Sequence, residues 1–242
     1  MATVRAFMPV DMLAADVWYG DVAALTRNRI TIDAGAHEIT YRGSFYSPDG
    51  YSIDGRLDTV TETYGGQTVY TITGIDADAG RVYRAVQVEA DAWGALNFIF
   101  KGNDQLNGSR GGDTLVAFAG SDVVSGRGGD DVLFGARGND WLTGGSGDDL
   151  LFGGTGSDAL TGGSGSDTFG FDTRQGVDRI TDFSRADWLV IDTSTSLSDF
   201  RGADQRDVAI RHGGSFDRVY VEGDLVAEVH GAQVAMNDFL FI

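Results

Sequence analysis

The sequence predicts an all-β protein organised around an internal repeat, and three observations predict it. From Ile99 to Gly170 the chain divides into eight consecutive nonapeptides with no insertion. Both flanks carry short alternating apolar and polar runs separated by turn residues, the pattern of half-buried strands. Hydrophobic residues make up 42% of the 242-residue chain, enough to build a core beside its 36 glycines.

The repeats read IFKGNDQLN, GSRGGDTLV, AFAGSDVVS, GRGGDDVLF, GARGNDWLT, GGSGDDLLF, GGTGSDALT and GGSGSDTFG. The fourth position is always glycine, the sixth always aspartate and the eighth always apolar. The eighth column is Leu106, Leu115, Val124, Leu133, Leu142, Leu151, Leu160 and Phe169. A flexible Gly/Ser/Asp linker has no reason to hold a large apolar residue at one fixed phase.

The pattern resembles the calcium-binding nonapeptide of RTX (hemolysin-type) proteins, G-G-x-G-x-D-x-U-x with U apolar. The resemblance implies a right-handed parallel β-roll of about four turns, two repeats per turn, in which x-U-x is a short strand and the glycine-rich part holds Ca2+. The residue chemistry agrees: calcium takes six to eight oxygens, aspartate offers a short carboxylate, and glycine lets loop carbonyls converge. The expected side-chain ligands are Asp104, Asp113, Asp122, Asp131, Asp140, Asp149, Asp158 and Asp167. The expected carbonyl ligands are Gly126, Gly129, Gly135, Gly138, Gly144, Gly145, Gly147, Gly153, Gly154, Gly156, Gly162, Gly163 and Gly165.

With repeat n stacked on repeat n+2, Asp104, Asp122, Asp140 and Asp158 line one edge, and Asp113, Asp131, Asp149 and Asp167 the other. Up to about six ions fit between stacked loops if each adjacent pair shares one. Stacked carboxylates about 5 Å apart repel by about 3 kcal/mol at an effective dielectric near 20, so the segment is expected to be largely disordered without calcium. The repeats are unequal. Positions one and two are Gly-Gly in the last three but Ile99-Phe100 in the first and Ala117-Phe118 in the third. The pairs Asp140/Asp158, Asp149/Asp167 and Asp131/Asp149 are the best expected sites and Asp104/Asp122 the weakest. Phe100 and Phe118 are expected to stack as an apolar strip.

Residues 1–98 read as a β-rich unit packed on the roll. A short amphipathic helix is expected near 10–19, then strands through Ile39–Phe45, Val69–Thr73 and Val82–Val88, with turns at Ser47–Gly50, Tyr64–Gly66 and Asp76–Gly80. Residues 171–242 read as a β cap. Asp167–Phe171 and Asp178–Phe183 resemble the segment that follows the repeats in many RTX proteins. Three strand-like runs follow at Asp207–Arg211, Arg218–Glu222 and Leu225–His230, separated by turn signals. Asp238 followed by Phe239–Ile242 resembles the uncleaved C-terminal signal of type I secretion substrates.

Charge narrows the partners. The chain has 36 acidic and 18 basic residues, net −18, and one lysine, Lys101. The excess is even: 13 acids against 7 bases in 1–98, 10 against 4 in 99–170, and 13 against 7 in 171–242. Such a chain repels nucleic acid and anionic membranes and attracts cations. Cysteine is absent, which excludes disulfides and thiolate metal sites. No run is long enough for a membrane helix, and Pro9 and Asp11 break the N-terminal apolar stretch that a signal peptide needs. The expected location is extracellular, reached through a type I exporter without an N-terminal signal peptide. The expected role is structural, or adhesion to a surface glycan, matrix polymer or protein through residues 1–98. His37-Glu38 begins a zinc-protease H-E-x-x-H motif, but residue 41 is Tyr, and G-x-S-x-G occurs nowhere. Catalysis is therefore not expected. The alternative is a small secreted enzyme on an extracellular polymer, with the roll as export and stability module.

Overall fold

The computed structural model describes residues 3–6, 21–26, 29–34, 37–46, 54–64, 67–78, 100–171, 176–191 and 208–241. The expected helix near 10–19, the turn at Ser47–Gly50 and the strand Val82–Val88 lie outside them. Among the described residues there is no α-helix, and the chain is all-β. Strands β1 (Thr3–Ala6), β2 (Asp21–Thr26), β3 (Arg29–Ala34), β4 (His37–Tyr46), β5 (Asp54–Tyr64) and β6 (Gln67–Asp78) precede the repeats. Strands β2 to β6 form an antiparallel meander. The last of these runs through Asp78, past the turn expected at Asp76.

Repeat strands alternate between two sheets. Strands β7 (Gln105–Asn107), β9 (Val123–Gly128), β11 (Trp141–Ser146) and β13 (Ala159–Ser164) stack in parallel in one sheet. Strands β8 (Thr114–Val116), β10 (Val132–Arg137), β12 (Leu150–Thr155) and β14 (Thr168–Phe171) do so in the other. Partners in each ladder are 18 residues apart, so two nonapeptides make one turn: Val124 faces Leu142, and Leu133 faces Leu151. Side chains alternate across a strand, so the eighth position points between the sheets, and every residue of that column has a relative exposure of 0%. Burial of such a side chain stabilises by about 1.5–3 kcal/mol.

The roll does not end with the eighth repeat. Strand β15 (Asp178–Phe183) lies parallel on β13, and β16 (Trp188–Ile191) parallel on β14. Each is displaced by 20 residues, as in Leu160 facing Ile180 and Phe169 facing Leu189. Two extra residues therefore interrupt the nine-residue register, and two degenerate repeats follow, giving about five turns rather than the four expected. The sequence reading had placed this whole segment in the cap.

Each sheet is then extended by a different device. Strands β17 (Val208–His212), β18 (Asp217–Val221) and β19 (Asp224–Gly231) form an antiparallel meander whose last strand lies parallel on β15. A 3-10 turn at Met236–Asp238 leads to β20 (Phe239–Phe241), parallel on β16. At the other end β1 sits between β6 and β7, antiparallel to the first and parallel to the second, with Val4 facing Leu106. The result is one 14-stranded sheet, which carries the N-terminal meander, opposite a 6-stranded one.

From the third repeat to the eighth the second position of the loop is left-handed. Phe118, Arg127 and Ala136 have φ of 70°, 81° and 74°, where the later repeats place Gly145, Gly154 and Gly163. A side chain in that region costs about 1–2 kcal/mol. Phe118 recovers this by burial and by stacking on Phe100, with ring centroids 6.1 Å apart. Arg127 is exposed and Ala136 half-buried, so neither recovers as much. Arg127→Gly and Ala136→Gly are each expected to raise the stability of the calcium-loaded roll by about 1 kcal/mol, read as a higher melting temperature. Phe118→Gly is expected to lower it.

Candidate metal centre

The sixth-position aspartates are buried in two columns, all eight at 2% exposure or less. Each carboxylate from the third repeat onward reaches back to the turn before. Asp122 Oδ1 accepts the backbone N–H of Asp104 at 2.6 Å, and Asp140 Oδ1 that of Asp122 at 2.7 Å. In the other column Asp131 Oδ1 accepts the N–H of Asp113 at 2.7 Å, and Asp149 Oδ1 that of Asp131 at 2.9 Å. Asp158 and Asp167 do the same for Asp140 and Asp149. One oxygen of every such carboxylate thus serves the backbone ladder.

The second oxygen is the informative one. Oδ2 of Asp122, Asp131, Asp140 and Asp149 is buried without a hydrogen-bond partner. A buried carboxylate oxygen left in this way is costly. In Asp131, Asp140 and Asp149 it leans over the first-position glycine of the same repeat, where a Cβ on Gly126, Gly135 or Gly144 would collide with it; the repeat of Asp122 has Ala117 there. The same Cβ would also meet a carbonyl one turn on, that of Gly144, Gly153 or Gly162 respectively. A carboxylate oxygen and a loop carbonyl therefore face one small space that only glycine leaves open. Among the described residues no three acidic or histidine side chains gather around one point, so such a space is completed by carbonyls.

Electrostatics point the same way. Burial, and after it the neighbouring carboxylates of the column, pushes Asp122 and Asp149 up to about 6 and Asp131 and Asp140 up to about 7, against the backbone N–H bonds that lower them. Asp167 is raised for the same reasons, with Asp187 and Asp182 among its neighbours. An all-oxygen set with orphaned carboxylate oxygens fits a hard divalent cation of calcium's size.

Family comparison decides which cation. The model of the RTX calcium-binding nonapeptide repeat matches residues 100–133 and 134–169. Residues 100–169 are RTX calcium-binding repeats. Outside this segment the comparisons add little. No curated protein matches the chain. Among solved structures, the extracellular lipase LipA from Serratia marcescens is similar at 15% identity, over 58% of this chain and 38% of that one, with a TM-score of 0.29.

The RTX columns continue into the degenerate repeats. Asp178 Oδ1 accepts the N–H of Asp158 at 3.1 Å, and Asp187 Oδ1 that of Asp167 at 3.0 Å. Asp182 takes the N–H groups of Gly162 and Gly163 on its two oxygens, at 3.0 and 2.9 Å. Both ends of one column are closed by backbone donors. Asp113 Oδ2 accepts the N–H of Ser109, and Asp187 Oδ2 that of Ser184, both at 2.6 Å. An N–H on that oxygen competes with a cation, so the second RTX repeat fits one less well than the repeats after it.

A further ladder stands at the fifth position. Asn103 accepts the N–H of Ser121 at 2.9 Å, Asn139 that of Ser157 at 2.8 Å, Asp130 that of Asp148 at 2.9 Å, and Asp148 that of Ser166 at 2.8 Å. These side chains reach forward one turn, whereas the sixth-position aspartates reach back. The sequence carried a signal for it: the fifth position is Asn, Gly, Ser or Asp in all eight repeats.

Proposed function

We propose that the chain is a secreted protein whose roll sets when calcium binds outside the cell, and that it serves there as a structural or adhesive module rather than as an enzyme. The observation that carries this reading is the row of buried Oδ2 atoms on Asp122, Asp131, Asp140 and Asp149. Such atoms destabilise the fold unless a cation takes them. Calcium is scarce in the cytosol and millimolar outside, and extracellular modules work with dissociation constants of about 10⁻⁴–10⁻³ M. Asp238 and the apolar Phe239–Ile242 resemble a type I secretion signal and support that route.

The stronger sites are the stacked pairs Asp140/Asp158, Asp131/Asp149 and Asp149/Asp167; Asp122/Asp140 is weakened by Ala117, which stands where those repeats have their first glycine. Asp113/Asp131 is weakened by Ser109, and Asp104/Asp122 by the Phe100–Phe118 stack in place of paired glycines. A surface glycan, matrix polymer or protein engages the N-terminal meander. Calorimetric titration of the full chain is expected to show about three tight calcium sites within a ceiling of six. With calcium present, a polysaccharide panel is expected to retain the chain without being cleaved. A single calcium site overturns the assignment, and release of reducing ends from any panel member favours the enzyme.

A further inference from the structure

The capped end of the roll holds a cavity that the calcium chemistry does not use. It is an open cleft of about 690 Å³ between the tenth, degenerate repeat, the edge strand β17 and the segment that leads into β20. Its size falls within the usual range for small-molecule pockets, about 300–1,000 Å³. The wall has two parts. Ile210, Val234 and Met236 give it an apolar side. Arg185 and His212 give it a polar one.

Both polar groups are placed for a ligand. Arg185 occupies the fourth position of its repeat, where all eight regular repeats have glycine. It is exposed to the cavity and makes no ion pair among the described residues. In a chain with twice as many acids as bases, a guanidinium at a cleft with no carboxylate partner among the described residues is informative. His212 is fixed by a buried partner: its Nδ1 lies 3.1 Å from Asp217 Oδ2, which also accepts the N–H of Val234 at 2.9 Å. A carboxylate only accepts, so Nδ1 carries the proton and Nε2 is the ring nitrogen left for a ligand. The nearby acid, Asp238, already accepts the N–H of Ala235 on Oδ2 at 2.8 Å.

We propose that this cavity binds a small organic carboxylate with an apolar body. The carboxylate pairs with the planar fork of Arg185, which matches it two oxygens to two N–H groups. The ring of His212, held by Asp217, stands on the same polar side. The apolar body lies against Ile210, Val234 and Met236.

The test is calorimetric titration of the full chain, in saturating calcium, with hexanoate and benzoate, and with hexanamide and inorganic phosphate as comparisons. The two carboxylates are expected to bind saturably, the amide and phosphate at least about tenfold more weakly. Arg185→Gln is expected to weaken hexanoate about tenfold or more while leaving the calcium-induced circular dichroism change intact, since Arg185 belongs to none of the stacked pairs assigned to calcium. His212→Gln is expected to weaken it less. Equal binding of hexanamide, unchanged affinity in Arg185→Gln, or no saturable heat from either carboxylate overturns the proposal.

Discussion

In a chelator at about pH 8 the roll is expected to lose most of its strand signal, and millimolar calcium is expected to restore it. Far-UV circular dichroism and thermal melting give the measurement, and equal strand content and melting in both conditions would count against calcium as the ordering agent. Asp122, Asp131, Asp140 and Asp149 also fix the sign of the pH dependence. An unfolded aspartate ionises near pH 4, whereas burial holds these four at about 6 to 7 in the fold. Their contribution to the ion-free fold is fully present below the unfolded value and is lost as pH rises through the folded values. The ion-free chain therefore gains order on acidification from about pH 8 to about pH 5. Calcium-induced folding moves the other way: protons compete for the same oxygens, so more calcium is needed as pH falls.

Replacing Asp149 by Ala is expected to raise the calcium midpoint roughly tenfold or more. The substitution removes Oδ2 from the space that it shares with the Gly162 carbonyl. It also strips the Asp131 N–H of its acceptor at 2.9 Å, and a buried donor left unpaired costs about 1–3 kcal/mol on its own. Asp149→Asn separates the two effects. The amide oxygen still accepts from Asp131, but the charge is gone. In chelator that variant is expected to be more ordered than the parent, since one repulsive carboxylate has left the column, yet to need more calcium. An unchanged midpoint in Asp149→Ala would show that the column does not hold the ion.

The regular repeats were legible because one physical demand recurs at one spacing. Leu106, Val124, Leu142 and Leu160 must all face inward, and the aspartates must all meet the turn before. The ninth and tenth repeats escaped the same search because the spacing to them is 20 residues instead of 18. Their chemistry was nevertheless visible in Asp178, Ile180, Asp187 and Leu189. Position of β1 was not legible at all: Thr3–Ala6 carries no repeat signature, and only its pairing with β7 makes it the first rung. Closure of Asp113 by Ser109 was half legible. A serine stood where the last three repeats have glycine, but which oxygen its N–H would take is a matter of loop geometry.

The 18-residue period has a consequence for how such an array can change length. The two sheets do not show the same surface. At the ninth repeat position the 14-stranded sheet carries Ser125, Thr143, Thr161 and Thr181, whereas the 6-stranded sheet carries Phe134 and Phe152, stacked with centroids 5.4 Å apart. Loss or gain of two repeats keeps every later residue on its own side of the roll. Loss or gain of one exchanges the sides for everything downstream, turning phenylalanines to the hydroxyl face and handing β15's place beneath the cap meander to the wrong strand. Growth by duplication is thus quantised in whole turns, and the cap, which fits one sheet with β19 and the other with β20, is the part that enforces the count.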